Sequence, residues 1–256
     1  MDSGVLMALS ASKKAELKLD IIVDNLANIS TIGYKNNKKT FGQIIDEYIV
    51  KNNINGTSVS PDLSNQITTS NNSQFNLEKP STDFTSGKLI YTANPFDVAI
   101  AEGGFFKIQT PEGIRYTRNG HFSMDEMGRL VTNDGSLVLG DSGEIEIKGK
   151  DLGIAEDGTI KINGASVGKI SVVNFKNLAE LERAGNKFYL PSGKEDNELQ
   201  LDNPKLSQGY LELSNVNVVE EMVKMMGDIR ANESYQKVIQ NFDSIDLKAA
   251  NEIGKF

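Results

Sequence analysis

At 256 residues, with 38% hydrophobic residues and a net charge of −8, the chain can hold one large or two modest domains, and it is too acidic to favour nucleic acid or anionic lipid. Its longest uninterrupted apolar run, Val5–Leu9, is far short of a membrane span, and the lack of cysteine removes disulfides, zinc–thiolate sites and thiol nucleophiles. The charge is uneven: residues 1–50 sum to zero and 215–256 to −2, leaving −6 in the middle, so the ends suit burial against other protein. Asp2 stands where a basic n-region would, and no small-residue cleavage site follows, so no cleavable secretory signal is expected. The mean hydropathy of −0.34 fits a soluble protein.

The first element is a helix predicted from Ser3 to about Asn28. Met1–Ile29 holds no proline, and Leu6, Leu9, Leu17, Ile21 and Leu26 share a stripe at helical spacing. The asparagine-rich turn Asn25–Asn28 and then Gly33 end it, because Asn and Gly tolerate the left-handed backbone. Thr31–Tyr48 is mixed, and Phe41, Ile44, Ile45 and Tyr48 fit a short helix or a strand equally well. Next comes a polar stretch: 14 of the 23 residues 52–74 are Asn, Ser or Thr. Such a segment buries little and reads as an extended connection, either a disordered linker or a segment that orders against neighbours.

The middle of the chain differs from its ends. All six prolines and 17 of the 23 glycines lie between Pro61 and Gly209. Short alternating strands, such as Glu144–Lys148 and Thr159–Ile162, are separated by the turn dipeptides Asn119-Gly120, Met127-Gly128, Asp134-Gly135, Ser142-Gly143, Asp157-Gly158 and Asn163-Gly164. Residues 75–213 therefore read as an all-β domain, without the βαβ rhythm of a parallel sheet.

The last 43 residues, from Ser214, contain no proline and read as a second, longer helix. Asn217 with Glu220 has the spacing of a capping box, and Gly254 marks the far end. Two apolar runs recur at intervals of three and four: Val219, Met222, Met226 and Ile229, then Tyr235, Val238, Phe242, Ile245 and Ala249. They are out of phase, since continuing the first lands on Glu233, Gln236 and Gln240. A helix with such a shift meets different neighbours along its length, where a simple two-stranded coil keeps one seam. The fold class expected is α+β, with paired, coiled-coil-like terminal helices (residues 1–30 and 214–256) flanking a connecting segment (31–74) and a central all-β domain.

No residues are set out for chemistry. His121 is the only histidine, too few for a His-based metal site, and it sits in an Asn-Gly-His-Phe turn. Neighbouring acids such as Glu220-Glu221 do not face each other on a helix. Neither a P-loop nor a GxGxxG is present. No enzymatic activity, cofactor or metal is expected. A secreted carbohydrate-binding or hydrolytic β-domain is the alternative, with His121, Asp125 and Glu126 as its acid–base cluster.

Both ends resemble the bacterial flagellar rod and hook protein family. LDIIVDNLANISTIGYK (Leu19–Lys35) is similar to its amino-terminal signature, at Leu19, Asp20, Asn25, Leu26, Ala27, Asn28, Thr31, Gly33, Tyr34 and Lys35. Ser214-Asn215-Val216-Asn217, Glu221-Met222-Val223 and Arg230 are similar to the carboxy-terminal segment. Asp97–Phe106 and Tyr116–Gly140 resemble the middle. The family's aromatic-Glu pair after the arginine is replaced here by Tyr235-Gln236. Length and a single β-domain point to a rod protein rather than the longer hook protein, the proximal rod protein first and the distal one second.

The resemblance implies export through the flagellar type III apparatus and stacking into a hollow axial shaft that transmits torque. The terminal helices would line the inside and the β-domain would face outward in the periplasm. Expected partners are copies of the chain, other rod and hook proteins, the export apparatus and the surrounding ring proteins. Subunit contacts are expected at Leu19, Ile22, Asn25, Leu26, Asn28 and Gly33 in the first segment. In the last they are expected at Val219, Met222, Met226, Ile229, Tyr235, Val238, Phe242 and Ile245.

Overall fold

The computed structural model describes residues 3–38, 81–149, 151–185, 187–190 and 197–253. Residues 39–74, expected as the greater part of the connecting segment, lie outside these, as does Gly254. The class is α+β, with two long helices and a large antiparallel β region. Contacts divide the described residues into two units. One holds helix α1 (Ser3–Ala27), helix α2 (Val218–Ile253) and Asn37–Lys38; the other holds Asn28–Asn36 and Thr82–Val216. Among the described residues no helix is long and apolar enough to cross a membrane.

In the helical unit, α1 and α2 pack on each other. Ser12 Oγ donates to Asn232 Oδ1 at 2.7 Å, and Asn25 Nδ2 to Glu221 Oε2 at 3.5 Å, so positions rise on α1 as they fall on α2 and the helices run antiparallel. Asn217 caps α2: its side-chain oxygen accepts from the N–H of Val219 (3.1 Å) and of Glu220 (3.4 Å). The Glu220 carboxylate pairs with Lys224, so Asn217 does the capping of the predicted box.

The β unit is built on a ten-stranded antiparallel sheet. Its main path runs Glu182–Ala184, Lys187–Tyr189, Gly113–Thr117, Phe105–Thr110, Leu137–Gly140, Leu130–Thr132, Phe122–Met124. Strand Phe105–Thr110 is central. Successive side chains on a strand point to opposite faces, so Phe106 and Ile108 enter one apolar cluster while Phe105 enters another. The first contains Val98, Phe122, Leu130 and Ile160; the second contains Tyr116, Val173, Phe175 and Phe188. Phe84 meets Phe105 and Phe188 edge-on at 5.4 and 5.2 Å between ring centroids. A three-stranded sheet (Leu152–Ile154, Thr159–Ile162, Ala165–Lys169) adds Ile154, Ile160 and Ile162 to the first cluster.

Five of the six predicted turn dipeptides join paired neighbouring strands, with Gly128, Gly135, Gly143, Gly158 and Gly164 all at positive φ. Asn119-Gly120 is the exception. The strands on either side of it pair elsewhere, and Val98 crosses directly beneath, donating its N–H to Gly120 O at 3.0 Å. A Cβ at Gly120 would sit 1.6 Å from Val98 O, so this glycine marks a close backbone approach, not a hairpin. Gly168 by contrast opens onto free space. Gly120→Ala is expected to cost about 2–3 kcal/mol, as overpacking does. Gly168→Ala should stay within about 0.5 kcal/mol. Urea unfolding followed by tyrosine fluorescence compares them, and equal midpoints would contradict the close approach.

Candidate assembly surface

Burial along α2 follows one unbroken spacing. Glu221, Met225, Asp228, Asn232, Tyr235, Ile239 and Phe242 are buried or half-buried, at alternating intervals of four and three. On α1 the same holds for Ala8, Ser12, Ala15, Leu19, Ile22 and Leu26. These two stripes bring the helices together. Alanines at two α1 positions allow close approach, while Tyr235, Ile239 and Phe242 supply bulk from α2. Each large side chain fully removed from water stabilises by about 1.5–3 kcal/mol, and the half-buried ones by less.

Polar members fix the register. Asn25 is buried; its side chain accepts from Asn37 N (2.9 Å), donates to Asn37 O (3.0 Å) and reaches Glu221. Glu221, also buried, takes a second contact from Lys224 Nζ at 2.9 Å. A buried polar pair of this kind is satisfied in one alignment only, so it resists sliding of one helix along the other.

The predicted contact residues fall into three groups. Leu19, Ile22, Asn25, Leu26, Tyr235 and Phe242 lie on the two facing stripes or beside them. Asn28 and Gly33 belong to the β unit, Asn28 accepting from Thr31 N at 3.1 Å. Val219, Met222, Met226 and Ile229 lie off the seam and are exposed, as are Val238 and Ile245. With Val223, the first four form an apolar face over the first three turns of α2 whose members are 40% to 70% exposed. The phase shift read from the sequence has this cause: the first run covers an outer face and the second contributes to the seam. The seam itself was hidden because three of its seven α2 positions, Glu221, Asp228 and Asn232, are polar.

A groove of about 850 Å³ in the β unit is lined by residues including Glu112, Arg115, Arg129, Asp134 and Lys187. Its charges are already spent on each other: Arg115 with Glu112, Arg129 with Asp125 and Glu144, Lys187 with Asp134. Burial works to raise the Asp134 carboxyl, but hydrogen bonds from Lys187, Thr132 and Ser136 outweigh it and hold the pKa at about 2. It is ionised near neutrality and offers no proton to a reaction. His121 bonds Asp97 at 2.7 Å, and Asp125 accepts from the N–H of Met127 and Arg129, so each is occupied locally.

Two family descriptions match the chain: the flagellar hook protein FlgE/F/G D1 domain over residues 99–162 and the flagellar basal body rod FlgEFG protein C-terminal region over residues 207–252. The chain is 31% identical to the flagellar basal-body rod protein FlgG of Bacillus subtilis, covering 95% of this chain and 96% of that one. The chain belongs to the flagellar basal-body rod protein family. It is also 29% identical to FlgF of Caulobacter vibrioides, covering 100% of this chain and 99% of that one. It is 32% identical over full length to the flagellar hook-basal body complex protein FlhO of Bacillus subtilis. These near-equal identities define the family rather than a member, and none supports a carbohydrate-binding or hydrolytic β-domain.

The polar lock between the helices is testable in this rod protein. Asn25→Ala removes both bonds to Asn37 and leaves buried Glu221 one contact short, which is expected to cost about 1–3 kcal/mol. Urea titration followed by far-UV circular dichroism measures it. An unchanged midpoint would mean that the seam holds by apolar packing alone.

Proposed function

We propose that this chain is a structural subunit of the flagellar rod that assembles through its terminal helices with copies of itself and with other rod and hook proteins. One observation carries the reading: in a member of the rod family, α2 keeps an exposed apolar face beside a seam already filled by α1. Contiguous apolar surface of this kind is costly in water unless a partner covers it. Val219, Met222, Val223, Met226 and Ile229 are the residues for that contact, and methionine adapts to non-identical neighbours. Val238 and Ile245, exposed farther along α2, lie roughly a third of a turn round from this face and offer a separate contact.

In this reading α1 and α2 form a coiled-coil-like pair within each subunit, which faces the axis of a hollow shaft. The β-domain of residues 75–213 faces outward, toward the surrounding ring proteins in the periplasm. Many apolar contacts repeated between subunits resist shear, and that resistance passes torque to the hook. The chain reaches its place through the flagellar type III export apparatus and has no catalytic role.

Met226→Asp tests the reading. Met226 is exposed in the single chain, so the helix pair should form with an unchanged far-UV spectrum and an unfolding midpoint shifted by less than about 0.5 kcal/mol. In a subunit contact the same charge would be buried without a partner, and incorporation into isolated basal bodies is expected to fall at least tenfold. Incorporation at the level of the unaltered chain would contradict the assignment of this face.

A further inference from the structure

The β unit contains a cluster that neither the assembly face nor the groove explains. Lys35 and Glu212 form an ion pair at 2.7 Å with side chains 0% and 1% exposed. Lys35 Nζ also donates to Thr85 O at 2.7 Å. Arg118, equally hidden, places Nε 3.4 Å from Glu212 Oε2 and donates from Nη1 to Glu102 O at 2.8 Å. Burial pushes the Lys35 ammonium below the ordinary lysine range, against the pull of Glu212. One carboxylate thus answers two cations in the interior of the unit.

Backbone bonds converge on the same place. Gly33 N donates to Glu212 O at 2.7 Å, and Gly87 N to Glu212 Oε1 at 2.7 Å. Asn36 N donates to Asn215 Oδ1 at 2.7 Å, while Asn215 Nδ2 reaches Asp83 O at 2.8 Å. Arg183 donates to Lys35 O at 2.8 Å and stacks over the Tyr34 ring at 4.2 Å. The fit leaves no room: Gly33 has φ +68°, and a Cβ there would lie 2.4 Å from Arg118 C and Asn119 N. A Cβ at Gly87 would lie 1.9 Å from Leu213 O.

We infer that Gly33–Asn36 and Glu212–Asn215 form an intramolecular clasp that closes the β unit, so that the unit folds only when segments from both ends of the chain are in place. The signature residues Gly33, Tyr34 and Lys35 then act inside one subunit, as the first half of that clasp. The middle segment alone is incomplete. Without Glu212, Lys35 would lose the carboxylate it bonds and keep only the weaker pull of Asp83, beside a buried Arg118, and breaking a buried pair costs far more than breaking an exposed one. A chain still lacking its last segment therefore keeps this unit open. The inference stands on contacts inside the β unit and does not depend on the assembly face.

Amide hydrogen exchange on the full chain tests it. Gly33, Gly87 and Leu213 donate within the clasp, whereas Val98 and Leu130 donate within the core. If the clasp closes the unit, all five amides exchange through one opening, with protection factors within about tenfold of each other. Glu212→Gln should lower protection at Val98 and Leu130 together with Gly33, by roughly 100-fold or more. Clasp amides exchanging more than tenfold faster than the core in the unaltered chain would overturn the inference. So would core protection left unchanged by Glu212→Gln. Incorporation of Met226→Asp is indifferent to either result, so a failed clasp and a failed assembly face are told apart.

Discussion

A single buried carboxylate sets the terms for much of this structure. Glu212 lies between Lys35 and Arg118 where water cannot reach any of them. Three ionised groups out of water are tolerable only when their positions are held closely, because a small displacement forfeits the attraction and keeps the desolvation cost. The surroundings supply that hold: the carbonyls of Thr85 and Glu102, the N–H of Gly87 and the glycine at position 33. Two segments that are 177 residues apart are thereby fixed side by side within the β unit.

The helical unit solves a related problem by related means. Asn25 and Glu221 are both buried, and each finds the other across 196 residues of sequence. Residues quoted from the two family signatures thus meet within one chain in the helical unit, Asn25 with Glu221, and in the β unit Asn36, which follows the signature's Lys35, meets Asn215. Polar groups bring the ends of the chain together, and an apolar face is left over. We propose a division of labour in which polar contacts specify the register inside a subunit and apolar contacts join subunits. Polar contacts are suited to the first task because they are satisfied in one alignment. Apolar contacts are suited to the second because they are less directional and accept neighbours of differing sequence.

Much of this was legible in the sequence. Proline-free ends with helical spacing became α1 and α2, and five of the turn dipeptides became connections between paired strands, because φ > 0 is a local demand that glycine meets locally. Asn119-Gly120 misled because close approach to Val98 is a tertiary fact with the same sequence signature. The helix seam was missed for a different reason. Pattern reading follows apolar residues, and here Glu221, Asp228 and Asn232 occupy seam positions while Met222 and Met226 do not. Glu212 carried no local signal at all. It sits in Tyr-Leu-Glu-Leu-Ser, where alternation would place it on an exposed face, and only its partners far along the chain explain its burial.

The account is tested most directly by a reconstruction of the isolated basal body at side-chain resolution. The Val219, Met222, Met226 and Ile229 face is expected to be covered by a neighbouring subunit, with Asn25–Glu221 and Lys35–Glu212 each made within one chain. A map with that face open to water, or with Lys35 paired to an acid of another subunit, would contradict it.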